Sequence, residues 1–178
     1  MAETEGRPKQ SGIDPRWGVG IVAALAIATV FWPRADPSSA EPKSEGGFVF
    51  DESGRPTPLG REMKPVTLVH FWATWCAPCI EELPRLMEFA AGVADDRFGL
   101  LLVAVADQPE AAKKFLGNER FPLFFDPEWE VAHRFGTQKL PETHVVVRGE
   151  VAESIIGASD WRTNDVRGRV LRYLQGRN

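Results

Sequence analysis

The 178-residue chain contains only two cysteines, Cys76 and Cys79, and three histidines, His70, His133 and His144. So few cysteines exclude a small scaffold that is held together by several disulfides. They also exclude the common zinc motifs, because no second pair of ligands follows at the required spacing. No metal or other cofactor is therefore expected, and the two cysteines are predicted to be reactive groups rather than structural ones.

The chain also lacks an excess of positive charge. It has 21 Lys and Arg against 25 Asp and Glu, which gives a net charge of −4, and no basic stripe occurs along it. Binding to nucleic acid is therefore not expected. With 43% hydrophobic and 26% charged residues, the composition is that of a globular protein, and the length suits one domain with additional segments.

Residues 17–32 form a run of 16 residues without charge, with a tryptophan at each end. A membrane-spanning helix needs about 17 to 20 apolar residues, and tryptophan suits the two membrane interfaces. We predict a single-pass signal anchor in the inner membrane, with a cytoplasmic tail over 1–16. The rest of the chain would then face the periplasm or extracytoplasmic space. A signal peptide cleaved after Ala40 and a buried core helix are the alternatives.

Residues 33–47 are mainly Pro, Ser, Gly and charged residues, which predicts a flexible linker. One folded domain is expected over 48–178, where apolar runs typical of buried strands alternate with helical patterns. The predicted elements are a hairpin over 48–56, a strand over 66–72, a helix over 80–90, a strand over 99–106, a helix over 107–117, a strand over 121–125, a helix over 126–136, a hairpin over 143–156 and a helix ending at 174. This order predicts an α/β fold with a mixed sheet.

The C-x-x-C pair follows the predicted strand and precedes a helix. Such a junction places Cys76 at a helix N-terminus, where free N–H groups and the helix dipole stabilise a thiolate. Cys76 is therefore the predicted nucleophile, and Cys79 is the predicted resolving thiol that attacks a mixed disulfide. A static disulfide is the alternative, although so short a loop removes little entropy from the unfolded chain. Trp75, directly before Cys76, is either a platform for substrate or a packed side chain.

Three strings carry a resemblance to a known family: FWATWCAPC at 71–79, ELP at 82–84 and FGTQKLPET at 135–143. They are similar to those of the membrane-tethered, extracytoplasmic branch of the thioredoxin superfamily, of the TlpA/ResA/CcmG type. The resemblance extends over roughly residues 46–176. It implies a thioredoxin-like fold, in which helices flank a central mixed sheet, with the N-terminal hairpin as an extension and one transmembrane helix before it.

The resemblance also implies roles for further residues. Glu82 corresponds to an acid that assists proton transfer around the cysteines, and a solvated helix glutamate is the alternative. Pro141 corresponds to a cis-proline that faces the disulfide and leaves the backbone of Leu140 free to pair with an extended substrate. An ordinary loop proline is the alternative there. His70 stands where thioredoxin itself has a buried aspartate, and we expect a core histidine, with proton transfer as the alternative. The histidines at 133 and 144 are expected to be structural or surface residues.

The expected function is that of a membrane-anchored thiol–disulfide oxidoreductase. The resemblance implies reduction of disulfides in extracytoplasmic protein substrates, as in cytochrome c or copper-site maturation, with a membrane-embedded thiol reductant as the electron donor. A disulfide oxidase or isomerase is the nearest alternative, because it differs only in redox poise. A metal chaperone or redox sensor that uses the same thiols is the alternative without enzyme activity.

Overall fold

The computed structural model of the protein describes residues 47–117 and 121–176. The predicted tail (1–16), the predicted membrane anchor (17–32) and nearly all of the predicted linker lie outside the described residues, as does the candidate cleavage site at Ala40. Within the described residues, no helix is long and apolar enough to cross a membrane.

Strands and helices alternate along the described residues much as the sequence predicts. In chain order they are β1 (Phe48–Phe50), β2 (Pro56–Pro58), β3 (Val66–Trp72), α1 (Ala77–Ala91), β4 (Phe98–Val105), α2 (Pro109–Leu116), β5 (Leu123–Asp126), α3 (Glu130–Arg134), β6 (Glu142–Val147), β7 (Glu150–Ile156) and α4 (Asn164–Leu174). A short 3-10 helix, Leu59–Glu62, lies between β2 and β3.

The strands form one sheet in the order β2-β1-β5-β4-β3-β6-β7. β3, β4 and β5 are parallel, because a helix crosses over between each strand and the next. The β6–β7 hairpin adds antiparallel strands on one side of this centre, and the β1–β2 hairpin adds them on the other. The predicted mixed α/β fold with an N-terminal hairpin is confirmed, whereas the transmembrane helix expected before it lies outside the described residues.

β3 lies inside the sheet, and all seven of its residues are buried. Leu68 and Trp72 belong to the hydrophobic cluster that includes Leu83 of α1, whereas Val69 and Phe71 belong to a second cluster on the opposite face. Burial of both faces explains why most of this stretch is apolar instead of alternating with polar residues. Its two polar residues, Thr67 and His70, are buried with side-chain hydrogen bonds to Lys64 and Thr143. Residues 73–76, which form the cysteine loop, follow the C-terminal end of this strand.

The helix α3 starts later than the sequence predicts. The pair Asp126-Pro127 resembles a helix start, but Asp126 is the last residue of β5 and the helix begins at Glu130. Trp129, directly before the helix, has a left-handed backbone with a φ of 61°. The Asp126 carboxylate still binds the helix, because its Oδ2 accepts a 2.8 Å hydrogen bond from the backbone N–H of Ala132. The capping residue therefore acts from the end of the preceding strand.

Candidate active site

Cys76 and Cys79 are joined by a disulfide at the start of α1. Cys76 is the residue immediately before the helix, and its carbonyl oxygen accepts hydrogen bonds from the N–H groups of Cys79 (3.0 Å) and Ile80 (3.2 Å). Cys76 thus lies at the positive end of the helix dipole, which favours a thiolate. Pro78 occupies the first turn, where its missing N–H leaves no helical hydrogen bond unmade.

The two cysteines differ in exposure to solvent. Cys76 is 7% exposed, whereas Cys79 is fully buried. An incoming partner can therefore contact the Cys76 sulfur first, and Cys79 is reached only from within the site. This asymmetry supports the predicted roles of nucleophile and resolving thiol, which remain predictions.

The Leu140–Pro141 peptide bond is cis, as the resemblance implies. Antiparallel pairing of β6 with β3 sets Glu142 opposite Phe71, near the C-terminal end of β3. Pro141 therefore lies at the end of the sheet from which the cysteine loop emerges. Leu140, directly before it, is half-buried. The fold thus brings the predicted substrate-binding segment 140–141 and the disulfide to one end of the sheet.

Trp75 lies on the surface beside the disulfide and is 58% exposed. Its indole N–H donates a 3.0 Å hydrogen bond to the carbonyl oxygen of Ala106, just beyond β4. Trp72 is in contrast fully buried, as the sequence predicts. A role for Trp75 as a platform for substrate stays a prediction, and it requires the surface position that the ring has.

Glu82 lies one turn after Cys79 on α1 and is only 2% exposed, so the alternative of a solvated helix glutamate is wrong. Burial raises the pKa of its carboxyl to about 7, and hydrogen bonds from the Trp161 indole and the Ser159 backbone offset part of that effect. Among the described residues, no well-formed hydrogen bond reaches Oε2. A carboxyl that titrates near neutral pH beside a buried thiol can accept or return a proton.

Trp161 is a residue of the site that the sequence analysis missed. It is 1% exposed, its Nε1 donates a hydrogen bond to Oε1 of Glu82, and its ring stacks on Phe89 of α1 with centroids 5.5 Å apart. The only signal in the sequence is a lone tryptophan between Asp160 and Arg162. Nothing in that local pattern indicates that the indole reaches a glutamate 79 residues earlier.

His70 is fully buried in β3, and its Nδ1 lies 2.8 Å from Oγ1 of Thr143 on β6. Burial lowers the pKa of this imidazole to about 3, so it is neutral at neutral pH. The position agrees with the expected core histidine. Because Thr143 lies two residues after Pro141, the His70 side chain links the strand that leads to the cysteines with the cis-proline segment.

Glu142 and His144 project from the other face of β6 and are both buried. The His144 ring is bonded at both nitrogens, to Thr137 Oγ1 at 2.7 Å and to Ser154 Oγ at 2.8 Å. Burial lowers the pKa of His144 to about 4 and raises the pKa of Glu142, whose Oε1 lies 3.5 Å from Nε2 of His144. His133 is exposed on α3. The structural or surface placement expected of these two histidines agrees with their positions.

A C-x-x-C disulfide at a strand–helix junction of a mixed sheet, with a cis-proline at the same end, defines a thioredoxin-like redox protein. The chain belongs to the Redoxin family, whose sequence profile matches residues 50–169. Residues 76, 79, 82 and 141 all lie within that match.

Similar proteins carry names of the same kind. The chain is 32% identical over 121 residues to thiol:disulfide interchange protein HelX of Rhodobacter capsulatus, covering 64% of this chain and 66% of HelX. It is 31% identical over 94 residues to thiol-disulfide oxidoreductase ResA of Bacillus thuringiensis, covering 50% of this chain and 53% of ResA. The chain thus spans between about half and two-thirds of these relatives. The predicted resemblance to the TlpA/ResA/CcmG type is confirmed.

A solved structure shows the same fold. MTB dsbF, in its mixed oxidized and reduced forms, superposes with a TM-score of 0.64 at 20% sequence identity. The superposition covers 76% of this chain and 99% of that protein.

Proposed function

We propose that this protein is a thiol–disulfide oxidoreductase that reduces disulfides in extracytoplasmic partner proteins. The observation that carries the proposal is the Cys76–Cys79 disulfide at the start of α1, in which Cys76 keeps a small exposed area and Cys79 is fully buried. A structural crosslink has no need of that asymmetry, whereas exchange with a partner does. The names of the relatives, thiol:disulfide interchange protein and thiol-disulfide oxidoreductase, support the same chemistry.

The reaction proceeds in two exchanges. The Cys76 thiolate attacks one sulfur of the partner disulfide, forms a mixed disulfide and releases the other partner sulfur as a thiolate, which takes up a proton. Cys79 then gives its proton to the ionised Glu82 and attacks the Cys76 sulfur, which closes the Cys76–Cys79 disulfide and releases the second partner sulfur as a thiolate. That thiolate takes up a proton, and Glu82 gives up the proton it received from Cys79, which restores its carboxylate. Two electrons pass from the dithiol to the partner. A membrane-embedded thiol donor returns two electrons to restore the dithiol.

The partner approaches as an extended segment. The Leu140 backbone, two residues before the start of β6, is suited to pair with such a segment by strand addition, and the exposed Trp75 ring forms a wall beside the sulfur. The resemblance supports partners in cytochrome c or copper-site maturation.

The reduction potential of the Cys76/Cys79 pair tests the direction of the reaction. We expect a value near that of thioredoxin, about −270 mV, when the full-length chain is equilibrated with glutathione buffers. A value near about −120 mV, typical of a strong oxidant, would contradict the reductase and favour the oxidase or isomerase. A dithiol that does not exchange with glutathione but binds metal tightly would favour the metal chaperone.

The anchor over residues 17–32 is part of the same proposal, because an extracytoplasmic reductase needs a route out of the cytoplasm and a nearby electron donor. We expect the full-length chain to remain with membranes after an alkaline wash. Leu25→Arg is expected to weaken that retention, because an arginine at the centre of a spanning helix costs about 2.5–3.5 kcal/mol. Ala23→Leu is the neutral control. A mature N-terminus directly after Ala40 would show that the segment is a cleaved signal peptide.

A further inference from the structure

Ala106 and Asp107 form a corner directly after β4. Both residues accept hydrogen bonds from the cysteine loop. Ala106, the first residue of this corner, has a φ of 45°, which is the left-handed region that a residue with a Cβ rarely adopts. Its N–H donates a 3.1 Å hydrogen bond to the Asp126 carbonyl oxygen of β5, and its own carbonyl oxygen accepts the Trp75 indole N–H. A strained backbone of this kind persists only where the surrounding structure fixes it, and it is frequent at functional sites.

The next residue, Asp107, holds Thr74 with both carboxylate oxygens. Oδ2 accepts a 2.6 Å hydrogen bond from the Thr74 backbone N–H, and Oδ1 accepts a 2.7 Å hydrogen bond from the Thr74 hydroxyl. Oδ1 also accepts the backbone N–H of Gln108 at 2.8 Å, which fixes the carboxylate itself. The two residues before Cys76 are therefore both bonded to this corner, Thr74 to Asp107 and Trp75 to Ala106.

Ala73, the first residue of the cysteine loop, is fully buried, whereas Thr74 and Trp75 have few other contacts in the described part of the chain. Between the end of β3 and Cys76, the loop makes one backbone hydrogen bond of its own, from the Cys76 N–H to the Ala73 carbonyl oxygen at 3.2 Å. Thr74 is half-buried and Trp75 is exposed, so core packing does not fix them. The positions of the two residues before Cys76 thus depend on the three hydrogen bonds that Thr74 and Trp75 donate to the corner.

We propose that Asp107 is a positioning residue for the nucleophile: it fixes the loop before Cys76, and its negative charge opposes ionisation of the Cys76 thiol, which keeps the dithiol reducing. The proposal rests on the proposed function. An anion near a thiol disfavours the thiolate, and a less stable thiolate makes the reduced pair a stronger reductant.

Other charged groups lie near this corner. Asp107 lines a surface cavity of about 500 Å³ together with Asp51, Glu52, Glu110 and Lys113. Lys113 is bonded to the Glu52 carbonyl oxygen at 2.7 Å. Glu82 faces the cysteines from the buried side of α1. Among the groups of the cavity, only Asp107 is hydrogen-bonded to the cysteine loop in the described part of the chain, which makes a neighbouring carboxylate a suitable control.

Two substitutions separate charge from position. Asparagine at 107 removes the charge and keeps both contacts with Thr74, because its oxygen accepts the Thr74 N–H and its amide donates to the Thr74 hydroxyl. It loses only the hydrogen bond that Oδ1 accepts from the Gln108 N–H. In Asp107→Asn we expect a three- to tenfold larger thiolate fraction of Cys76 at a pH below its pKa. The equilibrium with glutathione should shift toward the reduced protein by the same factor at a pH above that pKa, where the reduced protein carries the thiolate. The rate at high pH, where Cys76 is fully ionised, should stay within about twofold.

Asp107→Ala removes the contacts as well as the charge. Here we expect the same rise in thiolate fraction, together with a ten- to hundredfold fall in the high-pH rate of reaction with a small aromatic disulfide. Glu110→Gln, an exposed carboxylate in the first turn of α2, is the matched control and should change neither quantity by more than about twofold.

The measurements use the full-length chain with Cys79→Ser, which leaves one thiol to titrate by thiolate absorbance, and the parent chain for the glutathione equilibrium. An unchanged thiolate fraction in Asp107→Asn would overturn the proposal, as would an equal effect of Glu110→Gln. An Asp107→Ala chain with an unchanged high-pH rate would also overturn it, since the loop would then be fixed by other contacts. The proposed function fails separately, if the parent chain reduces no disulfide at all.

Discussion

Replacement of Cys79 by serine is expected to stop turnover and to leave Cys76 covalently joined to its partner. Cys79 is the group that attacks the mixed disulfide, and it is fully buried one turn behind Cys76. No other cysteine occurs in the chain to take its place. Turnover should fall by roughly three orders of magnitude or more, because the residues of such a pair act as a unit. Formation of the adduct should persist, since Cys76 keeps its place at the helix N-terminus.

The trapped adduct is measured by electrophoresis and mass spectrometry without reducing agent. The matched control is Cys76→Ser, which should form no adduct, because the remaining thiol is buried. Equal amounts of adduct from the two variants would contradict the assignment of nucleophile and resolving thiol. If neither variant forms an adduct while Cys76→Ser abolishes metal binding, the metal chaperone is the better explanation of the dithiol.

The sequence is sufficient to predict the elements that bring the cysteines to the edge of the sheet. The mainly apolar run 66–72 predicts β3 at its observed bounds, because a strand buried on both faces is apolar at most of its positions. The C-x-x-C spacing and Pro78 then predict the helix that follows. These features depend on short-range geometry, which local sequence determines.

The features that adjust the chemistry of the site depend on contacts between distant segments. The position of Glu82 predicts a carboxylate one turn after Cys79, but its burial depends on Trp161, 79 residues later. The hydrogen bonds that Thr74 donates to the Asp107 carboxylate connect residues 33 positions apart. The sequence places Asp107 at a helix start, where aspartate is common, so its contact with the cysteine loop has no local signal.

Substitution of Glu82 by glutamine is expected to remove a large pH dependence of folding stability. The carboxyl has a pKa of about 7 in the folded protein, against an ordinary value of 4.5, and burial is the main cause. Between these two values the folded state binds more protons than the unfolded state. The stability associated with the protonated carboxyl is therefore fully present below pH 4.5, and it is lost as the pH rises through 7.

The size of the effect follows from the difference in pKa. One pKa unit corresponds to about 1.4 kcal/mol, so ionisation of Glu82 lowers the free energy of unfolding by about 2–4 kcal/mol between pH 5 and pH 8. Glutamine does not titrate, and its amide oxygen can accept the Trp161 indole N–H as the carboxyl does. Glu82→Gln should therefore match the parent protein near pH 5 and exceed its stability by this amount at pH 8.

Other groups also change the pH dependence of stability between pH 5 and pH 8. The effect of Glu82 is therefore measured as the difference in unfolding free energy between the variant and the parent chain. Burial lowers the pKa of His70 and His144 and raises the pKa of Glu142, and each of these changes stability with pH. Their contributions cancel in the difference between the variant and the parent chain, measured by urea unfolding of the oxidised full-length protein at each pH. Glu81→Gln, an exposed neighbour on α1, is the matched control and should give a flat difference.

A buried carboxylate that destabilises the fold at pH 8 requires a functional reason, and proton transfer to and from Cys79 supplies one. Glu82→Gln should therefore release the mixed disulfide about ten- to a hundredfold more slowly, while the rate at which Cys76 forms it changes little. A variant that is more stable at pH 8 but releases its partner at the parent rate would show that the carboxyl is buried without serving the reaction. A flat stability difference would show that Glu82 ionises in the folded protein as it does in water.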